Sequence, residues 1–251
     1  MIAKLRHRAR ALVLPYRHRF RQSVEDPSAP LSFDLKRDSS TLLVAFGGMK
    51  GQIGMPPFEF FKATGEIPVK RLFVRDLHQA WYHRGIPGYG ATLQEAADAL
   101  GELIAGHHVE RLVVAGNSAG GYAALSFGSL LGAHTALCFA PQTTLELDAL
   151  AGMGDHRWDG QLRELADAGA LDPGWTDLRR ALPGVRSSQT RLEVFYDAAL
   201  EVDRLHAERL AGLDGIVLNA LAGGAHNVAL EMRENGELER VLHRVLLPQG
   251  A

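Results

Sequence analysis

The sequence predicts an α/β fold: a mostly parallel sheet with helices on both faces and a small cap insertion. Short apolar runs rich in β-branched residues alternate with segments of helical periodicity at least five times along the 251 residues. Glycine-rich stretches follow several of those runs, at 47–54, 116–121 and 222–224, where strand must give way to loop or helix. With 46% hydrophobic and 22% charged residues the chain is long enough to bury one sizeable core.

Taken in order, residues 1–30 read as a basic arm and 31–251 as one domain. Leu31 to Leu35 alternates apolar and polar, as a first strand would. Thr41 to Phe46 is a buried-strand run that passes into Gly47-Gly48-Met49-Lys50-Gly51. Pro56 and Pro57 precede a short helix, Phe58 to Ala63, because proline suits a first helical turn. Phe58, Phe60 and Phe61 serve either a pocket wall or the core. Arg71 to Arg75 is the next strand, and Asp76 to Gly85 the loop at its end. Thr92 caps a helix and Glu95 is placed to complete a capping box. Leu93, Ala96, Ala97, Leu100, Leu103 and Ile104 share one face of it. His107 and His108 end that segment as solvated residues. Strands follow at Leu112 to Ala115, Thr135 to Ala140, Arg191 to Tyr196 and Ile216 to Leu221. Residues of about 145–187, rich in Gly, Asp, Arg and Pro, read as the cap, with one helical stretch at Gln161 to Ala168. A helix spans Arg204 to Leu213, and a closing helix runs from Asn227 to Leu247.

Composition narrows the partners. The 27 basic and 29 acidic residues nearly cancel, so nothing steers the chain toward nucleic acid. A single cysteine, Cys138, excludes an internal disulfide and favours a cytoplasmic location; its apolar surroundings mark a buried thiol. No run approaches the roughly 20 apolar residues of a membrane span. Lys4, Arg6, Arg8, Arg10, Arg17, Arg19 and Arg21 all precede the first acid, Glu25. That arm reads as solvated, with contact at an anionic membrane surface or a partner as the alternative. No spaced cluster of His, Asp and Glu suggests a metal, and no cofactor is implied. The Gly-x-Gly-x-x-Gly spacing of dinucleotide-binding turns is absent.

Gly116-Asn117-Ser118-Ala119-Gly120 matches Gly-x-Ser-x-Gly, between a strand run and a helix-forming segment. In such a turn the serine sits on a sharp strand-to-helix bend, which requires small residues two positions before and after it. A serine hydroxyl becomes a nucleophile only when a base takes its proton, and an acid must hold that base in the right tautomer. In the serine-elbow fold the chain order is Ser, acid, His. Here Ser118 is followed by Asp197 or Asp203 and then by His226, each on a loop after a later strand. Asp203 is the preferred acid and Asp197 the alternative. In that fold the loop after Phe46 supplies a second oxyanion donor, Gly48 or Met49. Asn117, Asp76, Tyr82 and His83 are candidate substrate-binding positions; loops at the carboxyl ends of parallel strands form ligand sites.

These residues carry a resemblance. Ala45-Phe-Gly-Gly48, Pro57-Phe-Glu-Phe60, Arg75-Asp76 with Trp81-Tyr-His83, Gly116 to Ala124, Phe139-Ala-Pro-Gln-Thr143, Asp203 with His206-Ala207, and Gly224-Ala-His226 together resemble the α/β-hydrolase superfamily, and within it a bacterial branch. The resemblance covers nearly everything after residue 40. It implies Ser118 as nucleophile, His226 as base, Asp203 as acid, and the N–H of Ala119 with one near Gly48 as the oxyanion hole. The acid loop departs from the pattern His-Gly-x-x-Asp-x-x-Val-Pro. The expected function is a serine hydrolase cleaving a small acyl ester or thioester through an acyl-enzyme. Acyl transfer on the same residues, or a binding protein that kept the fold without catalysis, are the alternatives.

Overall fold

The computed structural model describes residue 20 and residues 26–49, 59–185 and 189–247. Most of the basic arm, the loop residues Gly51 to Gly54 and the expected helix start at Pro56 to Phe58 lie outside the described residues. Seven strands form one sheet among the described residues: β1 (Leu31–Asp34), β2 (Thr41–Phe46), β3 (Lys70–Val74), β4 (Arg111–Asn117), β5 (Thr135–Phe139), β6 (Arg191–Asp197) and β7 (Ile216–Leu221). Their spatial order is β1-β3-β2-β4-β5-β6-β7. β1 runs antiparallel on the edge, with Leu31 opposite Val74, and every other pairing is parallel.

The strand sequences build two cores because side chains alternate across a sheet. Leu42, Val44 and Phe46 of β2 and Leu112 and Val114 of β4 enter one core; Leu43, Ala45, Val113 and Ala115 enter the other. Such doubly buried strands read as continuous apolar runs. Burying each of the Leu, Val and Phe side chains among these contributes about 1.5–3 kcal/mol. The first core is covered by α2 (Leu93–Ala105), α3 (Ala119–Leu130) and α6 (Leu178–Val185); the second by α1 (Glu59–Ala63), α8 (Val228–Glu234) and α9 (Glu237–Leu246). Thr92 caps α2, its hydroxyl accepting the Glu95 N–H at 3.1 Å. The Glu95 carboxylate reaches back to the Ala91 N–H at 2.9 Å, one residue earlier than a standard capping box.

The helices differ from the sequence expectation in three places. The closing helix is broken in two. Gly236, at φ 77, takes the left-handed conformation that ends α8 and starts α9, a position glycine fills without a Cβ penalty. The helix near Asp203, α7 (Glu201–Glu208), begins three residues earlier and ends sooner than expected. Between β5 and β6 lie α4 (Leu147–Gly152) and α6 as well as α5 (Asp159–Asp167); α4 is only 6 residues long, and Pro183 and Gly184 within α6 read as chain breakers. Among the described residues, no helix is long and apolar enough to cross a membrane.

Candidate active site

The parallel strands point their carboxyl ends at one rim, where loops gather. Ser118 stands on that rim between β4 and α3, with φ 55 and ψ −119, a conformation costly for a residue with a Cβ. Two close approaches hold the bend. A Cβ on Gly116 would lie 2.0 Å from the Gly120 carbonyl oxygen, and one on Gly120 would lie 2.4 Å from the Phe46 carbonyl oxygen. Ser118 donates its own N–H to Phe139 O at 2.8 Å, and its carbonyl accepts the Tyr122 N–H as the first turn of α3. The N–H of Ala119 opens that helix, where amides have no intrahelical partner and the helix dipole favours negative charge.

Ser118 Oγ lies 3.1 Å from His226 Nε2, and His226 Nδ1 lies 2.6 Å from Asp203 Oδ2. Two lone pairs do not approach to 2.6 Å, so a proton lies between the carboxylate and Nδ1. In the neutral ring that proton is the Nδ1–H, and the Nε2 lone pair then faces the serine hydroxyl. Ser118 is 3% exposed and Asp203 3%, while the His226 side chain is about a quarter exposed. Asp203 sits in the first turn of α7, not at its cap; His226 follows β7 on the loop that leads into α8.

Asp197, at the end of β6, does not reach the imidazole. Its Oδ2 accepts the N–H groups of Gly223 and Ala225 at 2.9 and 3.0 Å, and that of Gly224 between them; its Oδ1 accepts the Ala199 N–H. Burial opposes its charge, but these four N–H groups outweigh burial and hold the carboxyl below the usual range. Asp197 thereby fixes the loop that carries His226.

The loop after β2 crosses close above the elbow. A Cβ on Gly48 would lie 3.2 Å from Asn117 O and 4.0 Å from Gly120 N. Met49 is buried beside it in the first core. Asn117 is fully buried, and neither of its side-chain polar atoms has a hydrogen-bond partner among the described residues. Asp76 accepts the N–H groups of His78, Ala80 and Tyr82 at 3.1, 2.7 and 3.0 Å. This carboxylate organises a loop in which Gln79, Trp81 and Tyr82 all adopt positive φ. The Tyr82 hydroxyl reaches Gly47 O at 3.0 Å and Val74 O at 3.1 Å, pinning the β2 loop. His83 is buried between the Tyr122 hydroxyl and the Asp172 N–H, and burial lowers its pKa to about 4. The polar atoms of Asp76, Tyr82 and His83 are thus engaged within the protein. Phe60 is a core residue, and Phe61 packs on Phe73 and Phe20.

Two further charged residues meet the site from the segment between β5 and β6. Arg157 donates to both oxygens of Asp155, at 2.8 Å each, and from Nη1 to Asp203 Oδ1 at 3.1 Å. Asp155 also accepts from His206 Nε2 at 3.0 Å, while His206 Nδ1 accepts the Thr143 N–H. Burial disfavours the Asp155 charge, but Arg157 and His206 outweigh it and hold the carboxyl well below its ordinary value. Nothing local in the sequence marks Arg157: its partners Asp203 and His226 are 46 and 69 residues away. Among the described residues, no group of His, Cys, Asp and Glu is arranged to hold a metal.

No protein-family model matches the chain, and no curated protein matches it. Solved structures do. A chain of the capsule O-acetyltransferase of Neisseria meningitidis serogroup A superposes with a TM-score of 0.61 at 13% identity, over 82% of this chain and 88% of that one. An alpha/beta hydrolase enzyme from the metagenome of lagoon sediments at Mar Chica, Morocco, gives 0.55 at 16% identity, over 87% and 95%. A glycosylation associate protein complex from Streptococcus agalactiae gives 0.56 at 18% identity; 85% of this chain is covered, but it spans only 44% of that longer one. At such identities the likeness concerns architecture. With its strand order, its single antiparallel edge strand and its helices on both faces, the chain has the α/β-hydrolase fold.

Proposed function

We propose that the chain is a serine hydrolase that cleaves an ester or thioester through an acyl-enzyme. The observation that carries this reading is the continuous hydrogen-bonded line from Asp203 through His226 to Ser118. Ser118 Oγ forms a bond to the acyl carbon while its proton passes to His226 Nε2. The carbonyl electron pair moves onto oxygen, which the N–H groups of Ala119 and of Gly48 or Met49 stabilise; one such donor is worth about 10²–10³ in rate. The C=O then re-forms, the bond to the leaving oxygen or sulfur breaks, and the departing group takes the proton from Nε2. Water repeats the sequence on the acyl-enzyme and returns the serine. Asp203 keeps Nδ1 protonated and stabilises the imidazolium formed in both halves. Asp76, Tyr82 and His83 act by shaping the rim, and the segment of about 145–187 acts as the cap that covers the acyl site.

Acyl transfer to an alcohol or amine is the second reading, favoured by the superposition on the capsule O-acetyltransferase. An acceptor hydroxyl would replace water in the second half. The test is release of p-nitrophenol from acyl esters of increasing chain length, with and without added acceptors. The hydrolase reading predicts release that is lost in Ser118→Ala. Acylated acceptor as the main product would favour transfer. Equal activity of wild type and Ser118→Ala would overturn both.

A further inference from the structure

We propose that Arg157 is a positioning residue of this site, acting through the Asp203 carboxylate on the orientation of His226. The inference rests on the serine-hydrolase reading above. Three observations carry it. First, the guanidinium uses its planar fork on Asp155, and only its inner Nη1 reaches Asp203 Oδ1, at 3.1 Å. Asp203 is left with one oxygen, Oδ2, for the imidazole at 2.6 Å. With Oδ1 bonded to the guanidinium, exchanging the two oxygens would break that charge-assisted bond, so the Nδ1–H bond is biased to one geometry.

Second, Arg157 Nη1 also lies 3.1 Å from His226 Nδ1. With Nδ1–H bonded to Asp203 both nitrogens are donors, so this is a packing contact and not a hydrogen bond; the guanidinium closes this side of the ring and leaves Asp203 Oδ2 as the acceptor there.

Third, the arginine is itself anchored by buried groups. The Asp155 and His206 side chains are 2% and 1% exposed, and His206 takes the Thr143 N–H just beyond β5. Arg157 therefore joins the β5–β6 segment to the triad through Thr143, His206 and Asp155. An arginine used only as surface solvation would need no buried carboxylate beneath it. A side chain one ångström out of place costs up to about 10²-fold in rate, which makes such an anchor consequential.

The experiment compares wild type, Arg157→Met and Arg157→Lys. Their fold is checked by circular dichroism and thermal melting, and Ser118→Ala serves as control. Two quantities are read: the second-order rate of Ser118 modification by a fluorophosphonate, and kcat and KM on the best p-nitrophenyl ester. Arg157→Met is expected to lower the labelling rate and kcat at least about tenfold, with KM within about twofold. Arg157→Lys is expected to recover part of the loss, since an ammonium can meet Asp203 but cannot also fork onto Asp155. Labelling and kcat within twofold of wild type in a folded Arg157→Met would overturn the proposal and leave the serine-hydrolase reading intact. A loss that lysine does not relieve at all, or one confined to KM, would also overturn it. If Ser118 in the wild type takes no label, the serine-hydrolase reading fails, and the role of Arg157 with it.

Discussion

Asp197 accepts the N–H of Gly223 at 2.9 Å, so the carboxylate at the end of β6 holds the backbone of the histidine loop and leaves the imidazole to Asp203. Two acids of the same type therefore have separable consequences. Asp203→Asn should lower kcat about 10³–10⁴-fold with little effect on melting, as loss of the acid partner does in serine-protease triads. Asp197→Ala leaves four backbone donors without their acceptor and should lower stability by about 2–4 kcal/mol. Its effect on kcat should be smaller. Urea unfolding and steady-state kinetics on both variants check this; the reverse pattern would exchange the two roles.

The elbow makes a second prediction. In Gly116→Ala the new methyl would meet the Gly120 carbonyl oxygen at 2.0 Å, and backbone atoms cannot step aside as a side-chain tip can. A loss of about 3 kcal/mol or more is expected. Gly152→Ala, at a helix position with nothing within 4 Å, is the matched control and should be neutral or mildly stabilising. Chemical denaturation of the two variants decides it, and equal stabilities would contradict the crowding argument.

The buried His83 should make stability depend on pH in a defined window. The unfolded imidazole titrates near 6.5, whereas burial lowers the folded value to about 4. Between those values the unfolded chain binds a proton that the folded chain refuses. The His83 contribution is therefore fully present above about 6.5 and is lost as the solution is acidified toward 4, by up to about 3 kcal/mol; Asp76, whose carboxyl burial raises, acts in the opposite sense and is common to wild type and variant. Asp155 does not confuse the test. Its lowered value makes a contribution that is present above the ordinary carboxylate range and is lost only further into acid. Urea titrations at pH 7 and 4.5 should show the difference in wild type and a much smaller one in His83→Gln; equal differences would contradict it.

Much of this molecule is legible in its residues, and the limits have physical causes. Thr41–Phe46 and Ile216–Leu221 are strands with the bounds that their apolar runs suggest, because turn-forming residues flank both. Ser118 and His226 stand out because each closely follows a strand run, and Asp203 because it lies between them in the chain order that the elbow implies. The break at Gly236 is less visible: glycine inside an amphipathic pattern is tolerated in some helices, and only the φ of 77 decides that it ends one. The Asp76–His83 loop invites reading as a binding rim, yet Asp76 spends its oxygens on three backbone N–H groups. Asp203 is preferred over Asp197 on the sequence, but which carboxylate the glycine loop folds onto shows only in three dimensions. Arg157 had no signal at all, since its meaning comes from residues brought near it by two crossovers.

The most direct measurement is the site of covalent modification by a fluorophosphonate, read by peptide mass spectrometry on wild type, Ser118→Ala and His226→Ala. One adduct is expected on the peptide containing Ser118 in wild type, none in Ser118→Ala, and labelling slowed by orders of magnitude in His226→Ala. An adduct elsewhere, or unchanged labelling without the imidazole, would contradict the serine-hydrolase reading.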